Sequence, residues 1–192
     1  HMSARRQRQM CIRDSMNTVQ TARQRKAEWF YRDRVGFMKQ LYHDIQKFSN
    51  YCKKRGIQPC VRLNGTTDIR WELIPAMPHN KMNIFQEFPE VQFYDYTKIP
   101  NRKVADYPNY HLTWSYSAAN PKYEELFWDV IRKGMSVAVV FRKPINMTTW
   151  RGYKVVDGDK DDLRFLDPQS SIVALYAKGA AKHDSTGFVQ DI

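Results

Sequence analysis

Two polar clusters in the sequence carry the residue types from which a ligand site is made. Arg62, Asn64 and Asp68 form the first, and Asp95, Thr97 and Lys98 the second. A cation beside a carboxylate holds it in its charged form, while amide and hydroxyl groups supply directional hydrogen bonds. Both clusters lie where an apolar run turns polar: Val61-Arg62-Leu63-Asn64-Gly65 and Phe93-Tyr94-Asp95-Tyr96-Thr97-Lys98. In α/β sheets and barrels, loops converge on a site at the carboxyl ends of the strands. Further runs end the same way, at Ser115-Tyr116-Ser117, Phe141-Arg142-Lys143, Asp157-Gly158-Asp159 and Ala177-Lys178-Gly179, so a shared polar cleft is expected. Alternate residues of a strand share a face. Arg62 should therefore point with Asn64, and Asp95 with Thr97, with the Arg62 cation keeping Asp95 ionised. A structural ion pair tethering two strands uses the same residues, and both readings stand.

Other chemistries find less support. Asp157-Gly158-Asp159-Lys160-Asp161-Asp162 has the alternating acidic spacing of a calcium loop, but Asp162 and Pro168 stand where an EF-hand needs Gly and Glu. A tight acidic turn is the expectation. His43, His79, His111 and His183 make no HxxxH or HxxE pair, and Cys11, Cys52 and Cys60 make no CxxC pair. No metal site and no cofactor are therefore expected. The sequence lacks GxxxxGKS/T, GxGxxG and GxSxG, which removes support for nucleotide hydrolysis, dinucleotide redox and hydrolase-elbow chemistry.

The elements that must position these residues read as α/β. A helix is expected over residues 17–31, and a stronger one over 35–55, where Phe37, Leu41, Ile45 and Phe48 form an apolar stripe before Gly56. Strands are expected over 59–64, 91–98, 110–117, 136–141, 153–157 and 171–178, with short helical structure over 83–88 and a helix over 120–133. The near-continuous apolar run Ser136-Val137-Ala138-Val139-Val140-Phe141 is the pattern of a strand buried on both faces. These elements predict one α/β domain with a largely parallel six-stranded sheet, or an incomplete β/α barrel with helices packed outside.

Charge points to the partner. The chain has 192 residues, 42% of them hydrophobic, which excludes general disorder, and a net charge of +11, which favours an anionic partner. No apolar run is long enough to span a membrane. Residues 1–34 hold nine basic residues against three acidic ones, a net +6. Arg23, Arg25 and Lys26, together with Lys53, Lys54 and Arg55 beside Tyr51, are the expected contacts to nucleic acid, where rings stack on bases and cations follow the backbone. Aromatic and basic residues also interleave at Trp29-Phe30-Tyr31-Arg32 and Trp150-Arg151-Gly152-Tyr153-Lys154, although Trp29 and Phe30 are expected on the buried side of a helix. His1-Met2 reads as a cloning remnant, and Met10-Cys11-Ile12-Arg13-Asp14-Ser15 resembles a translated sequencing-adapter fragment of the kind found at the ends of metagenomic reading frames. On that reading, residues 1–15 are a basic leader and residues 16–192 the domain.

Three groups of motifs carry a family resemblance: Val61-Arg62-Leu63-Asn64-Gly65-Thr66-Thr67-Asp68-Ile69, Phe88-Pro89-Glu90-Val91-Gln92-Phe93-Tyr94-Asp95-Tyr96-Thr97-Lys98, and Val156-Asp157-Gly158-Asp159 with Leu163-Arg164-Phe165-Leu166-Asp167-Pro168 and Ala177-Lys178-Gly179. From about Asn17 to Val189 the chain resembles the phage gene-product-eighty-eight family, whose function is unassigned. The resemblance implies a partial barrel of radical-SAM type, with Arg62, Asn64, Asp68, Asp95, Thr97 and Lys98 in its cleft, and a place in the cytoplasm of a bacterial host. Fuller members of that family carry a cysteine-rich segment before the first helix. Here only Cys11 precedes it, and an iron–sulfur cluster needs three or four thiolates, so none is expected. The leading expectation is a phage protein that binds nucleic acid without sequence preference through a basic surface. An enzyme with a polar cleft at the strand ends, and an interaction protein that blocks a host factor, both stay open.

Overall fold

The computed structural model describes residues 17–79, 81–144 and 146–191, with side chains from residue 21 onward. The expected leader, including Cys11, lies outside these residues. Helices α1 (Asn17–Arg32) and α2 (Arg34–Lys53) form a hairpin, α3 (Ile84–Glu87) is a single turn, and α4 (Lys122–Arg132) follows in the second half. The strands are β1 (Cys60–Val61), β2 (Gln92–Thr97), β3 (Tyr110–Ser115), β4 (Ser136–Phe141), β5 (Thr149–Trp150), β6 (Tyr153–Asp157), β7 (Ile172–Tyr176) and β8 (Val189–Gln190). They run in the order β1-β2-β3-β4-β7-β6-β5, with β8 paired to β4 off this path. The pairings β1–β2, β3–β4, β4–β7, β4–β8 and β6–β7 are parallel and β5–β6 is antiparallel. This is the expected mixed α/β, largely parallel sheet. Among the described residues it has eight strands rather than six, and it is not closed into a barrel. The two extra strands, β5 and β8, hold two residues each, too few for a period-2 pattern to register.

The chain divides into two compact units. One holds the described residues up to Asp95 together with Arg102–His111, and the other holds Tyr96–Asn101 and Leu112 onward. Strands β2 and β3 each begin in the first unit and end in the second. Among the described residues, no helix is long and apolar enough to cross a membrane.

In the first unit, Asp33 separates the two helices and caps α2, its carboxylate accepting from Gly36 N–H at 2.8 Å. A side chain at Gly36 would collide with that carboxylate, which explains a glycine inside a first turn. Gly56, at φ +63, ends α2. Its N–H bonds Lys53 C=O at 3.2 Å while Ile57 N–H reaches Cys52 C=O at 3.0 Å, the paired bonds of a Schellman close. The buried face of α2 is Met38, Ile45, Ser49 and Cys52, whereas Phe48 is exposed. The expected stripe Phe37–Leu41–Ile45–Phe48 is thus rotated by roughly half of the 100° step between helical residues. The aromatics of α1 explain the shift. Phe30 is buried and packs edge-on against Phe37 at 5.4 Å, drawing α2 toward Trp71 (ring centroids 5.5 Å from Phe30), while Trp29 stays partly exposed.

In the second unit, β4 is buried along nearly its whole length, as its apolar run requires. Trp114, Tyr116, Val137, Val139, Phe141 and Ile172 form its core with Phe127, Val130 and Ile131 of α4. Gly158 follows β6 with its Cα against β7. A Cβ there would lie 2.6 Å from Val173 Cγ1 and 2.9 Å from the Ala174 carbonyl oxygen, and the backbone atom cannot swing aside. Gly158→Ala should therefore destabilise the protein by about 1–3 kcal/mol through overpacking. Gly65→Ala, where a Cβ meets open space, should stay within about 0.5 kcal/mol of wild type in urea unfolding.

Candidate functional site

The ends of β1 and β2 are built around Asn64. Its side-chain oxygen accepts from Thr67 Oγ1 (3.0 Å), Ile69 N–H (3.1 Å) and the Trp71 indole N–H (3.0 Å), which folds residues 64–71 into a tight polar loop. Its backbone N–H donates to Asp95 Oδ1 at 2.7 Å, and its amide nitrogen to Asp95 Oδ2 at 3.3 Å. Tyr110 OH, from β3, donates to Asp95 Oδ2 at 3.0 Å and accepts from Arg102 Nη2 at 2.9 Å. Arg102 in turn grips Glu72 through Nε (3.0 Å) and Nη2 (2.5 Å), and approaches Asp68 at 3.4 Å. A continuous polar network thus runs Trp71–Asn64–Asp95–Tyr110–Arg102–Glu72. Asp95, at 1% exposure, is enclosed in it.

Enclosure controls the charge of Asp95. Burial pushes its pKa up to about 6, outweighing the hydrogen bonds from Asn64 and Tyr110 and the charges of Arg62 and Arg102 that favour ionisation. Arg62 favours the ionised form, in the expected direction, but burial outweighs it. Arg102 is a fully buried cation of the same network, and its bidentate bond is made to Glu72 rather than Asp95. Burial, then the Asp95 charge, pushes Tyr110 above its ordinary value, so its hydroxyl keeps the proton it donates.

The structure gathers Arg62, Asn64, Asp68 and Asp95 in the first unit, while Thr97 and Lys98 belong to the second. Arg62 is exposed and Asn64 buried, contrary to the shared face expected of them, because β1 ends at Val61 and strand alternation stops there. Thr97 is buried and accepts Ile99 N–H at 3.0 Å, and the Lys98 ammonium lies 6.0 Å from the Phe188 ring centroid. Glu72, Arg102 and Tyr110 were missed. The first two are charged residues, Glu72 in a single 3-10 turn and Arg102 in a loop, a pattern that ordinarily reads as solvent-exposed.

The acidic turn is closed by its own donors: Asp157 accepts Asp159 N–H at 2.9 Å, and Asp159 accepts Tyr176 N–H at 2.8 Å and Lys178 Nζ at 2.6 Å. Among the described residues, no group of three or more His, Cys, Asp or Glu is placed to share a metal ion. Cys52 and Cys60 are free thiols in the first unit, and burial, followed by the neighbouring Cys52, pushes Cys60 up. The two thiols among the described residues are too few for an iron–sulfur cluster, which needs three or four.

The basic residues sort into two kinds. Trp150-Arg151-Gly152-Tyr153 is an internal device: Arg151 (φ +52) and Gly152 (φ +84) turn the β5–β6 hairpin, and the guanidinium packs 4.3 Å from the Trp150 ring and bonds Glu124 at 2.6 Å. Arg25, Lys26, Lys53, Lys54 and Arg55 are instead exposed on the helical hairpin, and Arg23 is half-buried. On α2, His43, Gln46, Lys47, Asn50, Tyr51 and Lys54 line a shallow groove of about 390 Å³. A family model described as Gene product 88 matches residues 8–192. The chain belongs to the gene product 88 family. It is a phage family of unassigned function, and the match takes in part of the stretch read as a leader. A radical-SAM relationship finds no support. No curated protein and no solved structure matches the chain.

Two predictions test the buried network of this gene product 88 family member. Because Asp95 binds its proton more tightly folded than unfolded, stability should fall as pH rises from about 4 to about 6, by roughly 2–3 kcal/mol. Asp95→Asn removes that component, so urea midpoints of wild type and variant should converge at low pH relative to their separation at neutral pH. Arg102→Met leaves Glu72 buried and unpaired and should cost about 3–5 kcal/mol. The double variant Arg102→Met, Glu72→Leu should recover much of that loss in the same unfolding measurement.

Proposed function

We propose that the protein binds nucleic acid, without sequence preference, through the basic face of α1 and α2, in the cytoplasm of the phage's host. One observation carries this reading: the distribution of charge between the hairpin and the rest of the chain. Residues 17–55 hold ten basic residues against three acidic ones, a net +7, whereas residues 56–192 hold seventeen against sixteen, a net +1. The hairpin is thus strongly cationic and the remainder nearly neutral. In residues 56–192 many cations pair within the same stretch, as in Arg102–Glu72, Arg142–Asp191, Arg151–Glu124, Arg164–Asp167 and Lys178–Asp159. A concentrated positive surface attracts phosphates by releasing their counterions, which is a sequence-independent force. The strand-end carboxylate favours the competing enzyme reading less, since both oxygens of Asp95 accept internal hydrogen bonds and the residue is enclosed.

Binding to a labelled oligonucleotide should weaken steeply as salt rises. Changing Arg23, Arg25 and Lys26 together to Gln should lower affinity at low salt and flatten the slope of log K against log salt by up to about 2–3, at roughly 0.7–0.9 per lost phosphate contact. Anisotropy titrations at several salt concentrations measure both. Absence of binding at low salt, or an affinity indifferent to salt, overturns the proposal.

A further inference from the structure

Resting on that nucleic-acid reading, we infer that the outward face of α2 around Tyr51 is a stacking platform for single-stranded nucleic acid. Helical spacing places His43, Lys47, Asn50 and Lys54 opposite the buried Met38, Ile45, Ser49 and Cys52, with Tyr51 on the flank of the same stripe. From His43 to Lys54 the stripe covers about 17 Å of helix surface. With Gln46, it presents two ammonium groups, two amides, an imidazole and a phenol ring along one shallow groove.

Tyr51 is the residue that the fold itself does not explain. Half of it is exposed, on the side of the helix away from the core. The Arg55 guanidinium lies over its ring at 4.4 Å from the centroid, a cation–π contact one helical turn away. That contact covers one face of the ring, leaves the other for a base, and places a guanidinium fork beside it. A base stacking on the ring would have its backbone within reach of the Arg55, Lys54 and Lys47 charges. Bases in a duplex are already stacked and paired and cannot offer a face to a side chain, so such a ring adds affinity only for a single strand. Point charges alone attract both forms. The combination of ring and charges is what selects between them.

The test uses the full chain and two fluorescent probes at low salt, a single-stranded oligonucleotide of mixed sequence and the same strand annealed to its complement. Tyr51→Ala should weaken single-strand binding roughly tenfold, within the range expected for one lost base stack. It should leave duplex binding within twofold and the single-strand salt slope unchanged. Tyr51→Phe keeps the ring and should bind like wild type, and the thermal unfolding midpoints of both variants should match wild type, since the side chain lies outside the core. If Tyr51→Ala weakens both probes equally, or neither, the stacking platform is wrong while the nucleic-acid reading survives. If wild type binds neither probe, both fall together.

Discussion

A carboxylate placed in a protein interior must be given donors, and that requirement at Asp95 organises the first unit. The parallel pairing of β1 with β2 brings Asn64 alongside Asp95, and Asn64 N–H and Tyr110 OH supply the hydrogen bonds. Each donor is itself fixed by something else. Asn64 is held by Trp71, and Trp71 packs against Phe30 and Phe37 of the helical hairpin. Tyr110 stacks on Phe85 at 3.9 Å and accepts from Arg102. The polar network and the aromatic cluster are therefore one structure, joined at the two side chains, Trp71 and Tyr110, that have both an apolar body and a polar tip.

The elevated pKa of Asp95 follows from how charge is shared in this network. Arg102 is the only fully buried cation bonded to it, and the bidentate geometry of its guanidinium is spent on Glu72. Asp95 receives only neutral donors, an amide N–H, an amide NH2 and a phenol, together with the more distant fields of Arg62 and Arg102. Neutral donors do not replace the solvation that an ion loses on burial. A carboxyl group that holds its proton above the ordinary carboxylate range is the result.

Much of this was legible in the residues. The buried run at Ser136–Phe141, the Gly56 stop and the parallel α/β plan followed from periodicity and composition, because long, regular elements repeat their signal. Strand-end logic singled out both Asn64 and Asp95, but paired Asp95 with Arg62 rather than with Asn64. What was not legible depended on tertiary packing. Phe48 fits an apolar stripe as well as Met38 does, and only the aromatic cluster around Phe30 decides which way α2 turns. Arg102 and Glu72 carry no local signature, since their burial is made possible by each other and neither is interpretable alone. The reach of Arg62 toward the face of Asn64 failed for a different reason, the early end of β1.

The same distinction separates the charges that the fold uses from those that it leaves exposed. Arg102, Arg151 and Arg164 are cations at rest: each is held by a carboxylate, and Arg102 and Arg164 are almost fully buried. Moving them would cost stability, which makes them poor candidates for contact with anything outside. On the hairpin, Arg25, Lys26, Lys47, Lys53 and Lys54 stand exposed on two helices whose opposite faces already provide the packing. Helix formation needs those positions only to be polar, and lysine or glutamate serves equally well at an exposed site. The excess of cations at positions where the fold is indifferent to sign is therefore not a requirement of folding, and it is this excess that the proposed contact with nucleic acid uses.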